Sequence, residues 1–362
     1  MPNKPILIMA GGTGGHVYPA LAIADYLRRE GISLFWLGTR RGLEAKVVPA
    51  KGYRLLTITI SGLRGKGPLK WLLSPFLLLV ALIQSILIMM RVRPAAVLGM
   101  GGFVSGPGGV AAWLMRIPLC IHEQNAIAGL TNRILAPLAS KVMQAFPETF
   151  PGAVHAQTTG NPVRAEIENV PHPDARIHIN SNESLRILVI GGSQGARSLN
   201  KVVPETVARL PDDMQVEVRH QTGNQFFTET ATLYSALNRK VQLEPFIEDM
   251  AAAYGWADVV ICRAGALTIA ELASAGAASI LVPFPYAVDD HQTANARYLA
   301  VRGAAVLLPE KDLTQESLGR LLEEMYTVRQ RLLIMAQRAR AQAHPLATSA
   351  VAHACLETAY AG

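Results

Sequence analysis

The sequence predicts an α/β protein of two domains, each a parallel sheet with helices on both faces. Three observations predict it. Short apolar runs alternate with longer amphipathic ones along the chain, the pattern of repeated strand–helix–strand units. Two openings resemble each other, PILIMAGGTGGH at residues 5–16 and RILVIGGSQGAR at residues 186–197, so the pattern starts twice. A chain of 362 residues is long enough to bury two cores.

In chain order, PILIMA, ISLFWLG, LLTITI, AAVLGMGG, LCIHE and KVMQAF read as strands of the first domain. RILVIGG, QVEVRHQTG, VQLEPF, DVVICRAG and ASILVPF read as strands of the second. The joint is expected after GNPVR, residues 160–164, before the polar stretch 171–184. The expected division is residues 1–163, residues 164–340, and a C-terminal helix over 341–362 that packs back towards the first domain.

The segment WLLSPFLLLVALIQSILIMM, residues 71–90, is ambiguous. As a helix it would be about 30 Å long, enough to cross a bilayer. It lies between two strands of the first domain. A single span would put two glycine turns on opposite sides of the membrane, and one parallel sheet could not hold both flanking strands. The expectation is a helix packed on the first domain and dipped into the membrane interface, ringed by Lys66, Lys70, Arg91 and Arg93. A very apolar core helix and a true span are the alternatives.

Half the residues are hydrophobic, 17% are charged and mean hydropathy is +0.23, apolar enough to suggest contact with lipid. A net charge of +7 and a pI near 9.4 favour anionic partners. Nucleic acid is not expected, because no dense Lys/Arg run is interleaved with aromatics. Cys120, Cys262 and Cys355 are scattered and read as reduced packing residues of a cytosolic protein. The first residues lack the pattern of a secretory signal.

Four glycine turns carry the chemistry. They are Gly11–Gly15, GMGGFVSGPGG at 99–109, GGSQGAR at 191–197, and CRAGALTIAELASAG at 262–276. Each follows an apolar strand, and in open parallel sheets those strand ends face the ligand crevice. Glycine lets a ligand approach the backbone, and the N–H groups of the next helix start attract phosphate. Two Rossmann-like domains would thus present polarised edges to a shared cleft. A nicotinamide site would want an acid near the end of the second strand, which instead reads Leu37, Gly38, Thr39, Arg40, Arg41. That weakens an NADP-dependent reductase without removing it. A P-loop lysine is absent.

GGTGGHVYPALAIA, ISGLRGKG, GMGGFVSGPGG, HEQNAIAGLTNR, GNPVR, GGSQGAR, DMAAAYGWADVVICRAGALTIAEL and HQTANA occur in one order along nearly the whole chain. Together they resemble the MurG family, the bacterial N-acetylglucosaminyltransferases that convert lipid I to lipid II in peptidoglycan synthesis. The resemblance implies a GT-B architecture and an inverting transfer without cofactor or metal. The donor would be UDP-N-acetylglucosamine and the acceptor undecaprenyl-linked lipid I. It further implies a peripheral enzyme on the cytoplasmic face of the membrane, against anionic phospholipid and beside other cell-wall enzymes. Another lipid-acceptor GT-B transferase is the nearest rival.

By that resemblance Thr13, Gly14 and Gly15 border the donor sugar and diphosphate, and Asn125 touches the sugar. Arg164 and Ser193 approach the diphosphate, and Ile247 offers its backbone to uracil. Ala266, Leu267, Thr268, Ile269, Ala270 and Glu271 line the nucleotide, with Glu271 on the ribose hydroxyls. Gln292 and Asn295 read the sugar hydroxyls. A ribose diol suits a carboxylate, since both O–H groups can donate to it. His16 is the first candidate for the proton acceptor, because a helix start favours neutral imidazole; Glu123 is the reserve. Plain structural roles stay open. Glu271 could be an ordinary helix acid, Arg164 a brace of the joint, Asn125 a turn stabiliser and Ser193 a helix cap. His16 could bond its own turn.

Overall fold

The computed structural model describes residues 4–60, 68–177, 179, 183–192, 195–235 and 237–360; side chains of 68–73 are not described. The chain divides into two units, Met1–Arg164 with His344–Gly362, and Ala165–Ala343.

The first unit holds a seven-stranded sheet. Its strands are β1 (Ile6–Met9), β2 (Leu34–Gly38), β3 (Arg54–Thr57), β4 (Ala96–Gly99), β5 (Leu119–Glu123), β6 (Lys141–Gln144) and β7 (Gln157–Thr158). All pairings are parallel, in the order β3-β2-β1-β4-β5-β6-β7. The helices are α1 (Gly14–Arg29), α2 (Leu43–Ala50), α3 (Pro68–Val92), α4 (Ser105–Leu114) and α5 (Leu130–Leu135). Successive side chains of a strand point to opposite faces. In β1, Ile6 and Ile8 join a core with α1, while Leu7 and Met9 join a second core with Ala81, Met89, Ala111 and Ala112 of α3 and α4. Both faces are covered, so the strand reads as an unbroken apolar run.

The second unit contributes α6 (Ala165–Glu168), α7 (Pro173–Arg176), α8 (Arg197–Val207), α9 (Phe227–Tyr234), α10 (Met250–Trp256), α11 (Ala266–Ala275), α12 (His291–Ala300), α13 (Gln315–Thr327) and α14 (Arg329–Arg340). The last helix, α15 (Ala347–Tyr360), belongs to the first unit and packs Val351, Ala352 and Cys355 into the core beside α1. The second sheet contains β8 (Leu185–Ile190), β9 (Val216–Gln221), β10 (Lys240–Glu244), β11 (Val259–Cys262), β12 (Ser279–Leu281) and β13 (Val306–Leu307). It is parallel throughout, in the order β10-β9-β8-β11-β12-β13.

The apolar segment is the crossover from β3 to β4, two strands of one sheet. Ser74–Val92 is long and apolar enough to cross a membrane, yet Ala81, Ser85 and Met89 are fully buried against the unit. Their spacing of four puts them on one helical stripe. The opposite side leaves Phe76, Leu79, Ile83, Leu87 and Met90 exposed, Phe76 at 66%. A crossover helix is wedded to its sheet, and this one leaves an apolar face outward.

Two glycine turns interlock at the ends of β1 and β4. At Gly102, φ is +80° and a Cβ would lie 2.2 Å from the Gly11 carbonyl oxygen. Ser105, fully buried, donates its hydroxyl to Gly101 O (2.8 Å) and Met9 O (3.2 Å) and accepts from Gly101 N–H. In the second unit, His220 Nε2 meets Asn200 Oδ1 at 3.0 Å and its Nδ1 meets the Tyr234 hydroxyl at 3.1 Å. Asn200 also donates to Thr222 O at 2.8 Å, so α8, α9 and β9 share one buried polar knot.

Gly102→Ala should lower the melting temperature by several degrees, since the atom it meets is backbone and cannot swing aside. An unchanged melting curve would contradict the interlock. Burial pushes the His220 imidazole down to about 3 from 6.5. The unfolded chain therefore takes up a proton that the folded unit refuses, and stability falls as pH drops below 6.5. The slope is about 1.4 kcal/mol per pH unit. Urea unfolding of H220N between pH 6 and 4 should show a pH slope flatter by that amount; an identical slope would contradict it.

Candidate active site

In the first unit the site is built on the turn after β1. Thr13 ends the turn in an extended conformation, and its carbonyl accepts from His16 N–H (3.1 Å) and Val17 N–H (3.2 Å). Thr13 and Gly15 are exposed, and Gly14 and His16 half-buried, at the start of α1. The first N–H groups of a helix have no intrahelical partner, so this end is polarised. One donor of the turn is already taken. Glu44, fully buried on α2, accepts Gly12 N–H at 3.0 Å through Oε2. Its Oε1 accepts the Thr39 N–H (2.9 Å) and hydroxyl (2.7 Å). An internal carboxylate thus takes the Gly12 N–H, while Thr13, Gly14 and Gly15 of the same turn are exposed or half-buried. Sequence reasoning looked for an acid closing β2 and missed Glu44, which reaches back from the first turn of the following helix.

His16 and the HEQN loop meet at the ends of β1 and β5. His16 Nδ1 lies 3.0 Å from Gln124 Oε1. Gln124 Nε2 lies 3.1 Å from His122 Nδ1 and donates to His122 O at 3.2 Å. His122 Nε2 lies 3.0 Å from Gly160 O. His122 is fully buried, and that burial lowers its pKa to about 4. Glu123, the reserve candidate for proton acceptor, is held by its own loop. It is 2% exposed and receives four donors. Oε1 takes Asn125 N–H (3.0 Å) and Nδ2 (3.1 Å), and Oε2 takes Gly129 N–H (3.0 Å) and Asn132 Nδ2 (2.8 Å). Such a carboxylate clasps its own loop. Asn125 is accordingly held by Glu123 at both its backbone and its amide nitrogen. Arg164 is half-buried at the last position of the first unit.

In the second unit, α11 starts directly after Gly265, which is extended at φ −63° and ψ 143°. Ala266 and Ile269 are buried; Leu267, Thr268 and Ala270 are half-buried. Glu271 lies one and a half turns in, is only 7% exposed, and accepts the Tyr254 hydroxyl at 3.0 Å. It is therefore not an ordinary surface acid. Tyr254, from α10, was missed by sequence reasoning, since no spacing ties it to Glu271. Ser193 lies outside the described residues.

Ile247 is fully buried and its N–H is taken by Gln221 Oε1 at 3.0 Å, while Gln221 Nε2 donates to Gly192 O at 3.0 Å. The uracil expectation at Ile247 therefore narrows to its carbonyl, and Gln221 ties that segment to the glycine turn after β8. Gln292 accepts Phe284 N–H at 2.9 Å through Oε1, so Nε2 is the end it can offer a ligand. Asn295 is fully buried and donates to Ala264 O at 3.2 Å. That bond ties α12 to the turn before Gly265. Arg263, in that turn, pairs with Glu310 and donates to Ser198 Oγ at 3.0 Å.

Residues 6–144 match the glycosyltransferase family 28 N-terminal domain, and residues 186–351 match the glycosyltransferase family 28 C-terminal domain. Two relatives bear the description UDP-N-acetylglucosamine–N-acetylmuramyl-(pentapeptide) pyrophosphoryl-undecaprenol N-acetylglucosamine transferase. The protein of Nitrosococcus oceani is 54% identical over 354 residues, covering 98% of each chain. That of Alkalilimnicola ehrlichii is 53% identical over 359 residues, covering 99% of each. Among solved structures, Acinetobacter baumannii MurG superposes with a TM-score of 0.85 at 40% identity, over 98% of this chain and 99% of that one. Two parallel sheets in two units, with these likenesses along the full length, are a GT-B fold, and the chain belongs to glycosyltransferase family 28, in its MurG branch.

Proposed function

We propose that this protein transfers N-acetylglucosamine from UDP-N-acetylglucosamine to the 4-hydroxyl of N-acetylmuramoyl-pentapeptide pyrophosphoryl-undecaprenol, forming lipid II for the cell wall. The observation that carries this is the likeness over 98% of each chain to the N. oceani transferase of that name. The acceptor hydroxyl attacks C1 of the donor sugar from the face opposite UDP. The O–C1 bond forms, the C1–O bond to the diphosphate breaks, and UDP leaves with the electron pair. The hydroxyl proton goes to His16 Nε2.

The donor binds the second unit. Glu271, held by Tyr254, accepts from the ribose hydroxyls, and the Ile247 carbonyl accepts from uracil N3–H. The N–H groups at the start of α11, with Arg164 and the turn containing Ser193, take up the charge that grows on the leaving diphosphate. That charge needs no metal ion on this reading. Gln292 offers its amide to the sugar. The acceptor binds the first unit, with Thr13, Gly14 and Gly15 bordering the donor sugar and diphosphate.

The same unit carries an apolar surface suited to a lipid-linked acceptor. Phe76, Leu79, Ile83 and Leu87 of α3 are exposed, with Trp113 and Leu114 on the adjoining α4 and Leu130 and Ile134 on α5. Arg91 and Arg93 close α3. That combination of apolar face and cationic end supports peripheral attachment to an anionic membrane.

Glu271→Ala should raise the KM for UDP-N-acetylglucosamine at least tenfold while leaving the melting temperature within a few degrees; an unchanged KM would remove the ribose role. Activity should survive excess chelator, and a strict need for magnesium would contradict the metal-free leaving group. Replacing Leu79, Ile83 and Leu87 with serine should release the protein from vesicles of anionic phospholipid. Persistent binding would place the attachment elsewhere.

A further inference from the structure

We propose that Gln124 is a positioning residue that holds His16 with its proton on Nδ1 and its lone pair on Nε2. The inference rests on His16 as the proton acceptor, and it names what makes that histidine competent.

Two of the groups around this amide can only accept. A backbone carbonyl has no proton to give. Gln124's amide nitrogen is 3.2 Å from His122 O, so the NH2 end must face His122 and the oxygen must face His16. A flipped amide would set two carbonyl oxygens against each other. Amide oxygen also only accepts. His16 Nδ1, 3.0 Å from Gln124 Oε1, must therefore be the donor. Neutral imidazole carries one N–H, so Nε2 is left with its lone pair.

The relay is anchored at its far end as well. Gly160 O accepts from His122 Nε2–H at 3.0 Å, which leaves His122 Nδ1 to accept from Gln124 Nε2 at 3.1 Å. Burial keeps His122 neutral near pH 7, in agreement with that assignment. Asn161 Nδ2 donates to Gln124 O at 2.9 Å and fixes its backbone. On another side the His16 ring lies against bare backbone. A Cβ at Gly101, where φ is +95°, would stand 2.7 Å from His16 Nδ1. Three separate sequence motifs, GNPVR, HEQN and GGTGGH, thus converge on one proton position. In a serine hydrolase triad a buried carboxylate does this orienting, and loss of the correct tautomer is costly there. Here a neutral amide orients the ring and adds no charge.

The test uses full-length protein labelled with 15N-histidine at neutral pH. His16 is assigned by the signals missing in His16→Asn. Long-range 1H–15N correlation should show His16 with protonated Nδ1 and bare Nε2 in the unmodified protein. Gln124→Ala should shift His16 towards the Nε2–H tautomer and lower kcat by ~10²-fold, with the KM for UDP-N-acetylglucosamine unchanged within about twofold. Gln124→Met, closer in volume, serves if the alanine variant misfolds. A proton on Nε2 in the unmodified protein would overturn the proposal outright. So would Gln124 variants that keep both tautomer and kcat. If the tautomer is as stated but His16→Ala retains full kcat, the proton-acceptor reading falls, and the catalytic role given to Gln124 falls with it.

Discussion

Everything functional in this molecule depends on strands that all run the same way. In a parallel sheet the carboxyl ends of the strands lie along one edge, and every following helix begins there. The first sheet places β1, β4 and β5 side by side. His16, Gly101 and Gln124 follow those three strands, so residues 108 positions apart become hydrogen-bonded neighbours. The second sheet does the same with β8 and β11, whose following turns carry Gly192 and Gly265. The sheet order, more than any single motif, assembles each half of the chemistry.

Buried carboxylates divide their labour around those edges. Glu44 and Glu123 are consumed by the loops they organise, each receiving backbone N–H groups that would otherwise lack partners. A buried charge is tolerated when it is fully hydrogen-bonded. Glu271 belongs to a different setting, a helix flank where it accepts the Tyr254 hydroxyl. The same residue type is therefore held by backbone donors of its loop in the first unit and by a tyrosine hydroxyl in the second. Glutamines act in a parallel way. Gln221 and Gln124 each bridge two segments through the two ends of one amide.

Much of the fold was legible in the sequence, because doubly covered strands leave long apolar runs and glycine turns mark their ends. The apolar stretch at 71–90 was legible as a crossover from its place between two strands of one sheet. What stayed hidden were contacts set by tertiary placement. Nothing local in AAAYGWAD points Tyr254 at Glu271, and nothing in RGLEAKVV points Glu44 back at Gly12. His16 stood out because a histidine in a glycine turn is odd; Gln124 did not, because a glutamine beside HE reads as loop filler. Asn295 and Glu123 were legible as polar residues of their motifs, but their burial was not. Burial of that kind is set by tertiary placement, which a motif does not carry.

The central claim is that the nucleotide belongs to the second unit and that Glu271 holds its ribose. A crystal of the protein soaked with UDP-N-acetylglucosamine tests this most directly. The ribose hydroxyls should lie within hydrogen-bond distance of the Glu271 carboxylate, with uracil near Ile247 and the diphosphate at the start of α11. Uridine lodged instead on the turn at residues 11–15, with Glu271 untouched, would contradict it.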